Sequence, residues 1–158
     1  MVKYLILLAL IGGAVYFSLN FDNFVTTGLN SPEFGATLSH GASWSVAKTS
    51  EEEIDLSRSR SDGQKDYIFI QKFQSPENTS LSVRLSRDTP FSTSNEKHAH
   101  LGPWDGITFS WTSDHGIEAG FVFASGQYLY VVGTEGLSDT SRPFIDEFSR
   151  VASTLRVE

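Results

Sequence analysis

The chain has 158 residues, a formal net charge of −7 at pH 7 and no cysteine. Because nucleic-acid backbones are bound by basic surfaces, the acidic balance excludes nucleic acid as an expected partner. The lack of thiols excludes disulfides, thiolate zinc sites and thiol catalysis. Hydrophobic residues make up 39% of the chain and charged residues 20%, as in ordinary globular proteins, so this length predicts one folded domain.

The first segment of the chain is almost wholly apolar. Lys3 precedes an apolar run from Leu5 to Leu19. A membrane-spanning helix needs about 20 apolar residues, and we interpret residues 1–21 as a signal anchor. A cleaved signal peptide, with small residues at Gly12 and Ala14, is the alternative. In both cases we expect the domain that follows to face the periplasm or the cell exterior, with the anchor helix as its contact with the membrane.

Period-two alternation and turn signals predict a β-rich domain over residues 43–158, after a linker or lead-in at residues 22–42. Strands are predicted at SWSVAK, IDLSRS, YIFIQKF, SLSVRLSR (Ser80–Arg87), GITFSWTS, IEAGFVFA and YLYVVG. The short SDHG and SGQ turns join the last three strands into an antiparallel meander. YIFI and YLYVV are apolar on both faces, so their strands should be central.

The C-terminal sequence RPFIDEFSRVASTLRVE predicts an amphipathic helix. Pro143 suits its first turn. Phe144, Phe148, Val151 and Leu155 recur at intervals of three or four residues and form one apolar stripe. The predicted fold class is α+β: an antiparallel sheet of about six to seven strands with a C-terminal helix packed on one face, preceded by the N-terminal membrane helix.

Three sequence elements carry a family resemblance: FASGQYLYVVGTEG, VASTLRV and GASWSV. Over about residues 40–158 the chain resembles PsbP-like domains and the bacterial DcrB-type exported domains. That family usually has a helix between its early strands and its late meander, whereas Asp88–Asp105 here is interpreted as an irregular loop. The resemblance implies an exported, often tethered, non-enzymatic accessory or binding module. It transfers no functional residue and no cofactor.

Two histidines, His98 and His100, lie close to Trp104 in the segment EKHAHLGPWDG. Histidines at i and i+2 point the same way only on a strand, and two ligands make a weak metal site. A third ligand could come from Glu96, Asp105, His40 or His115, and the sequence leaves this open. We therefore expect solvent-exposed loop histidines and no bound metal.

The sequence contains no local catalytic signature. It lacks a Gly-x-Ser-x-Gly elbow, a Gly-rich phosphate loop, an HExxH motif and a calcium loop. Asp114 and His115 lie at a predicted hairpin tip, where both are ordinary turn residues. We expect the protein not to be an enzyme, and a hydrolase site assembled from distant residues is the alternative.

The segment Asp88–Asp105 is the longest stretch without helix or strand periodicity inside the domain. Loops longer than about 12–15 residues are usually functional or disordered. We interpret this loop as a recognition surface for an envelope protein partner. Its expected contact residues are Phe91, His98, His100, Leu101 and Trp104.

A separate hypothesis concerns the basic residues. Arg58, Arg60, Arg84 and Arg87 fall on neighbouring predicted strands. They could form a basic patch for an anionic partner, or they could balance Asp55, Asp62 and Asp88 across strands.

Together these observations predict a function outside the cytoplasm. The chain is expected to be a membrane-tethered, non-enzymatic interaction or accessory module of the cell envelope. A periplasmic domain that binds a small molecule or a metal is the alternative.

Overall fold

Ten strands and two helices follow one another in the computed structural model of the chain, which describes residues 25–76, 79–114, 116–135 and 142–158, the last segment without the side chains of residues 142–145. The strands are β1 (Thr26–Ser31), β2 (Ala36–Gly41), β3 (Ser45–Thr49), β4 (Glu53–Ser59), β5 (Lys65–Gln74), β6 (Ser94–Leu101), β7 (Trp104–Ser113), β8 (Gly116–Ser125), β9 (Tyr128–Glu135) and β10 (Arg156–Val157). The helices are α1 (Leu81–Asp88) and α2 (Arg142–Thr154).

The main sheet has seven strands in the order β3-β4-β5-β9-β8-β7-β6. All its neighbouring strands are antiparallel. The strands that contain YIFI and YLYVV are β5 and β9, which lie side by side in the middle of this sheet, as predicted. A second sheet of three strands has the order β1-β2-β10. These sheets and helices confirm the α+β class.

One face of the main sheet is covered by the β1–β2 hairpin and by α2. Apolar side chains of β4, β5, β8 and β9 meet side chains from these two elements there. The largest fully buried side chains on this face include Phe34, Ile54, Leu56, Ile68, Ile70, Phe121, Phe123 and Leu155. Burial of each such side chain stabilises the fold by about 1.5–3 kcal/mol, so this face is the principal core.

The opposite face of the sheet has a second, more aromatic cluster. Its buried members are Phe69, Leu85, Phe109, Trp111, Val122, Leu129 and Val131. The short helix α1 covers part of this face through Leu85, and Phe91 packs against the same cluster. Because apolar side chains cover both faces of the main sheet, its central strands are hydrophobic throughout.

The predicted C-terminal helix is confirmed as α2. Val151 and Leu155 of the predicted apolar stripe are fully buried, and Phe148 is half-buried against the same core. The side chain of Phe144 lies outside the described residues. Leu155 follows the last helical residue, and its side chain still closes the core.

The predicted strand at Ser80–Arg87 is wrong, because this segment is helix α1. Leu81, Val83 and Leu85 alternate as in a strand, but Leu81 and Leu85 also satisfy the helical i, i+4 spacing. In the structure Leu85 is buried and Val83 is exposed. The guanidinium of buried Arg84 donates to the Ser75 hydroxyl at 2.8 Å and the Ser75 carbonyl at 2.6 Å, which ties the helix to the end of β5.

The predicted linker at residues 22–42 is also corrected. From Thr26 to Gly41 the chain forms the β1–β2 hairpin, in which Leu29 pairs with Leu38. Phe34, at the hairpin turn, is 2% exposed. The hairpin therefore belongs to the domain, because its apolar side chains complete the main core.

The predicted irregular loop at Asp88–Asp105 is wrong over most of its length. Ser94–Leu101 forms β6, an edge strand that pairs with β7. Most of its side chains are exposed, so no apolar alternation marks it as a strand in the sequence.

The predicted signal anchor at residues 1–21 lies outside the described residues. Within the described ranges, no helix has the length and apolar character needed to cross a membrane.

Candidate functional site

The candidate site lies on the hairpin formed by β6 and β7. A two-residue turn, Gly102-Pro103, joins the strands, and Leu101 pairs with Trp104 across it. Gly102 has φ of +61°, and a glycine with positive φ followed by proline is the pattern of a type II′ turn. A Cβ at Gly102 would also overlap the Ser153 carbonyl oxygen of α2. The turn therefore requires glycine both for its backbone angle and for its close packing on the helix.

One face of the hairpin is fixed to the main core by Trp104. Its ring stacks on Phe123 at 4.3 Å between centroids and an interplanar angle of 17°. Its indole N–H donates to the Leu155 carbonyl at 2.8 Å. Leu101 is half-buried against the same core. These two predicted partner contacts thus face the protein interior, where they hold the hairpin in place.

Phe91, another predicted partner contact, also packs inward. Its ring lies 5.0 Å from that of Trp111 and 5.9 Å from that of Phe69, centroid to centroid. Phe91 belongs to the aromatic cluster on the second face of the sheet. Its aromatic character reflects packing in the folded domain.

The other two predicted contacts, His98 and His100, lie on the solvent-exposed face of the same hairpin. His98 pairs with Ile107 across the strands, and His100 pairs directly with Asp105. Residues two apart on one strand share a face, so both imidazoles and the Asp105 carboxylate project on the same side. The side chains of His98, His100 and Asp105 are exposed by 66%, 71% and 63%.

The three groups converge on one point. Oδ1 of Asp105 lies 2.7 Å from Nε2 of His98 and 3.4 Å from Nδ1 of His100. The two imidazole rings meet edge to face, with centroids 5.1 Å apart. One ligand atom from each residue lies within 4.8 Å of the others. Two imidazole nitrogens and one carboxylate oxygen are therefore gathered where a single ion could contact all three.

Of the four third-ligand alternatives, the structure brings Asp105 to the histidines. His40 is buried, with Nδ1 2.9 Å from the Gly41 carbonyl. Glu96 accepts hydrogen bonds from the Ser82 and Thr93 hydroxyls, which lower its pKa in that order. His115 lies outside the described residues. The pairing of His100 with Asp105 across the strands selects this third ligand. The spacing of the residues in the sequence does not reveal that pairing.

The four arginines of the predicted basic patch do not share one surface. Arg58 donates to Asp66 from Nη2 at 2.5 Å, and Arg60 lies 3.3 Å from Asp62. Arg84, on α1, is buried.

Arg87, also on α1, pairs with Asp88. The Arg87 guanidinium, and after it the Ser75 hydroxyl, lower the pKa of Asp88 to about 2. The charge-balancing alternative describes these residues better, although Asp66 takes the place expected for Asp55.

A second polar region, which the sequence did not reveal, lies near β3, β4 and β5. A cavity of about 360 Å³ is lined by residues that include Lys48, Glu53, Gln71, Phe73 and Pro90. Beside it, partial burial and then repulsion from Glu53 raise the pKa of Asp55 to about 6. None of the three converging groups on the hairpin lines this cavity.

Comparison with known proteins identifies the fold but no family. No protein-family profile matches the sequence, and no curated protein matches it. A crystal structure from Bacteroides thetaiotaomicron VPI-5482 has a TM-score of 0.55 at 14% identity and covers 83% of this chain and 48% of that one. The solution structure of the cyanobacterial PsbP (CyanoP) of Synechocystis sp. PCC 6803 has a TM-score of 0.55 at 10% identity and covers 85% of this chain and 93% of that one.

The fold is PsbP-like. This confirms the fold that the sequence resemblance implied, and identities this low concern the fold alone. Helix α1 also occupies the place, between the early strands and the late meander, where the PsbP-like pattern has a helix, so the expected departure from that pattern disappears. The chain spans about half the length of the Bacteroides protein. The DcrB-type resemblance stays a prediction.

Proposed function

We propose that the PsbP-like domain is a non-enzymatic module outside the cytoplasm that binds a divalent transition-metal ion at His98, His100 and Asp105. The observation behind this proposal is the convergence of three ligand atoms within 4.8 Å on one face of the β6–β7 hairpin. The sequence alone led us to expect no metal, because two histidines make a weak site. A third ligand supplied by the strand register changes that expectation.

The donor set favours particular ions. Imidazole nitrogen suits zinc, copper and nickel, whereas magnesium and calcium prefer sites made wholly of oxygen. Two nitrogens and one oxygen therefore match zinc or copper(II) far better than magnesium. Three protein ligands leave at least one position of a tetrahedral zinc ion free for water or another ligand.

The surroundings of the site favour binding over catalysis. Its three side chains are each about two-thirds exposed on an open strand face. Catalytic metal sites generally lie in a shaped cavity that excludes water and orients a substrate. The cavity near Lys48 and Pro90 is lined by other residues. An exposed site on an open strand face is better suited to storing a metal ion or to joining two proteins through that ion.

The location outside the cytoplasm and the membrane tether are part of the same proposal. They are supported by the apolar run Leu5–Leu19 behind Lys3. An envelope module of this kind would act as an accessory to other components.

Calorimetric titration of the full-length protein with zinc tests the metal site. We expect stoichiometric, saturable zinc binding and no comparable heat with magnesium. His98→Ala combined with His100→Ala should abolish the zinc signal, because one carboxylate cannot hold the ion alone.

Lys97→Ala is the matched control, since Lys97 lies on the same exposed strand and faces the other side of the sheet. This control should bind zinc like the unmodified chain. Equal zinc binding by the double histidine variant would show that the metal lies elsewhere, and lack of binding by the unmodified chain would end the proposal.

A further inference from the structure

The free edge of β6 adjoins the proposed metal ligands. This strand is the last in the main sheet, and within the described residues no strand pairs with its outer side. The turn Gly102-Pro103 fixes which backbone groups face outward. Residues that flank a two-residue hairpin turn form a hydrogen-bonded pair, and the pattern alternates along the strand. Leu101, Ala99 and Lys97 therefore direct their backbone groups towards β7, and His98 and His100 direct theirs to the free edge.

We propose that zinc joins two copies of this chain edge to edge through β6. This inference rests on the proposed metal site and adds the partner that completes it. The two strands pair antiparallel about Ala99, so that His98 of each copy lies opposite His100 of the second copy. That register uses the outward backbone groups of both histidines.

Pairing of the two strands supplies the fourth protein ligand that the site in a single chain lacks. Side chains directly opposite one another in an antiparallel pair have Cβ atoms about 4.5–5.5 Å apart. Four imidazoles, two from each copy, would therefore lie on one face of the joined sheet, with an Asp105 carboxylate on either side. Four of these six side chains complete a tetrahedral zinc ion, which three from one chain cannot do. The expected stoichiometry is one zinc ion for two chains.

On the other face of β6, where Ala99 and Leu101 pack against the main core of their own chain, the register opposes no charged residues of the two strands. Lys97 lies opposite Leu101 of the second copy, and Ala99 lies opposite Ala99. No two like charges face each other there, and a small residue lies at the two-fold axis, where the strands come closest.

The edge is poorly suited to pairing without metal. Each chain has a net charge of −7, so two copies repel each other. The strand register is irregular between Ser94 and Lys97, and Asn95 has φ of +56°. Irregularities and charged side chains on edge strands oppose backbone pairing. A bound cation offsets the repulsion and makes the association dependent on metal.

Cysteine crosslinking tests the register directly, because the chain has no cysteine of its own. In Ala99→Cys the two new thiols face each other across the two-fold axis at a Cα separation of about 4.5 Å, within the range of a disulfide. In the control Lys97→Cys the thiols are offset by four residues, about 14 Å apart, too far to bridge.

The full chain, in detergent, is oxidised with diamide in the presence of zinc or of EDTA and examined on non-reducing gels. We expect a disulfide-linked dimer from Ala99→Cys in zinc, severalfold less in EDTA, and none above background from Lys97→Cys. Adding His98→Ala and His100→Ala should remove the zinc-dependent dimer. Calorimetry of the unmodified chain should give half a zinc ion per chain.

Two results separate this inference from the metal site itself. Saturable binding of one zinc ion per chain, without a disulfide-linked dimer of the Ala99→Cys variant, would overturn the bridged pair and leave the metal site standing. Lack of any zinc binding would overturn both. If Ala99→Cys gave an equal yield of dimer in EDTA, the metal would not control association, and the inference would fail.

Discussion

At the scale of single residues, Gly102 shows how one position is constrained from two directions. Its φ of +61° favours glycine, and the Ser153 carbonyl oxygen occupies the space that a side chain would need. Gly63 also has positive φ, at +84°, but a Cβ there would meet no atom within 4 Å. Comparing substitutions at Gly102 and Gly63 therefore distinguishes the cost of backbone strain from the cost of steric overlap.

Gly102→Ala is expected to destabilise the domain by about 2–4 kcal/mol, because strain in the turn adds to displacement of the end of α2. Gly63→Ala should cost only about 1 kcal/mol, since it adds strain alone. Urea unfolding followed by circular dichroism measures both values. Similar costs for the two variants would show that the hairpin turn does not press on α2.

Asp55 predicts a pH dependence of stability. Partial burial, and then repulsion from Glu53, raise the pKa of its carboxyl from 3.8 to about 6. The folded state therefore holds this proton over a range where the unfolded state has lost it, and stability falls as the pH rises from about 4 to about 6. Because the group is partly exposed, we expect the change to be about 1 kcal/mol after solvent screening.

The measurement compares unfolding free energies of the unmodified chain and Asp55→Asn across this pH range. The difference between the two should shift by about 1 kcal/mol as the pH rises from about 4 through about 6, and it should be level well above that folded-state pKa. Asp88 acts in the opposite direction at lower pH, since its pKa is lowered to about 2, and its effect cancels in the difference. A difference that is constant with pH would rule out a raised pKa at Asp55.

At the scale of elements, helix α2 and the hairpin β6–β7 depend on each other. The Trp104 indole reaches the Leu155 carbonyl, and Gly102 lies against Ser153, so the end of the helix supports the turn that orients the candidate metal ligands. A loss of packing at the end of α2 should therefore also destabilise the β6–β7 hairpin.

Substitutions along the α2 stripe should follow burial. Leu155→Ala is expected to cost about 2–5 kcal/mol, because Leu155 is fully buried and its truncation leaves a cavity. A buried phenylalanine truncated to alanine usually costs about 3–5 kcal/mol. Because Phe148 is only half-buried, we expect Phe148→Ala to cost about 1–3 kcal/mol. Chemical unfolding of the two variants gives the comparison. A larger loss of stability for Phe148→Ala than for Leu155→Ala would mean that the middle of α2, and not its C-terminal end, contributes most to its packing on the sheet.

At the scale of the whole molecule, the sequence predicted the elements in which hydrophobic periodicity is strong. The central strands, the meander and α2 could be inferred from it, because burial on one or both faces leaves a regular apolar pattern. Helix α1 could not, since Leu81 and Leu85 fit both periods in a segment only eight residues long. Strand β6 could not either, because its exposed residues leave no apolar pattern, although Gly102-Pro103 between Leu101 and Trp104 is a usable hairpin-turn signal.

The candidate site was predictable only in part. The spacing of His98 and His100 indicates a shared face if the segment is a strand, but the third ligand depends on which residue pairs opposite. That register is set by the turn at Gly102-Pro103. It is held by Trp104, which stacks on Phe123 and donates to the Leu155 carbonyl, 51 residues away in the sequence. Local pattern therefore suggests the ligand types, and tertiary packing decides the ligand set.

The last prediction concerns where the whole molecule lies. The run Leu5–Leu19 behind Lys3 favours an uncleaved anchor with the domain on the far side of the membrane. A reporter fused after Glu158 should be active only outside the cytoplasm, and the full-length protein should stay with membranes after carbonate washing, because a spanning apolar segment resists extraction. The control deletes residues 1–21 and should leave the reporter inactive. A mature N-terminus at Val15 would exclude the anchor and keep export, whereas a reporter active only inside the cell would exclude both.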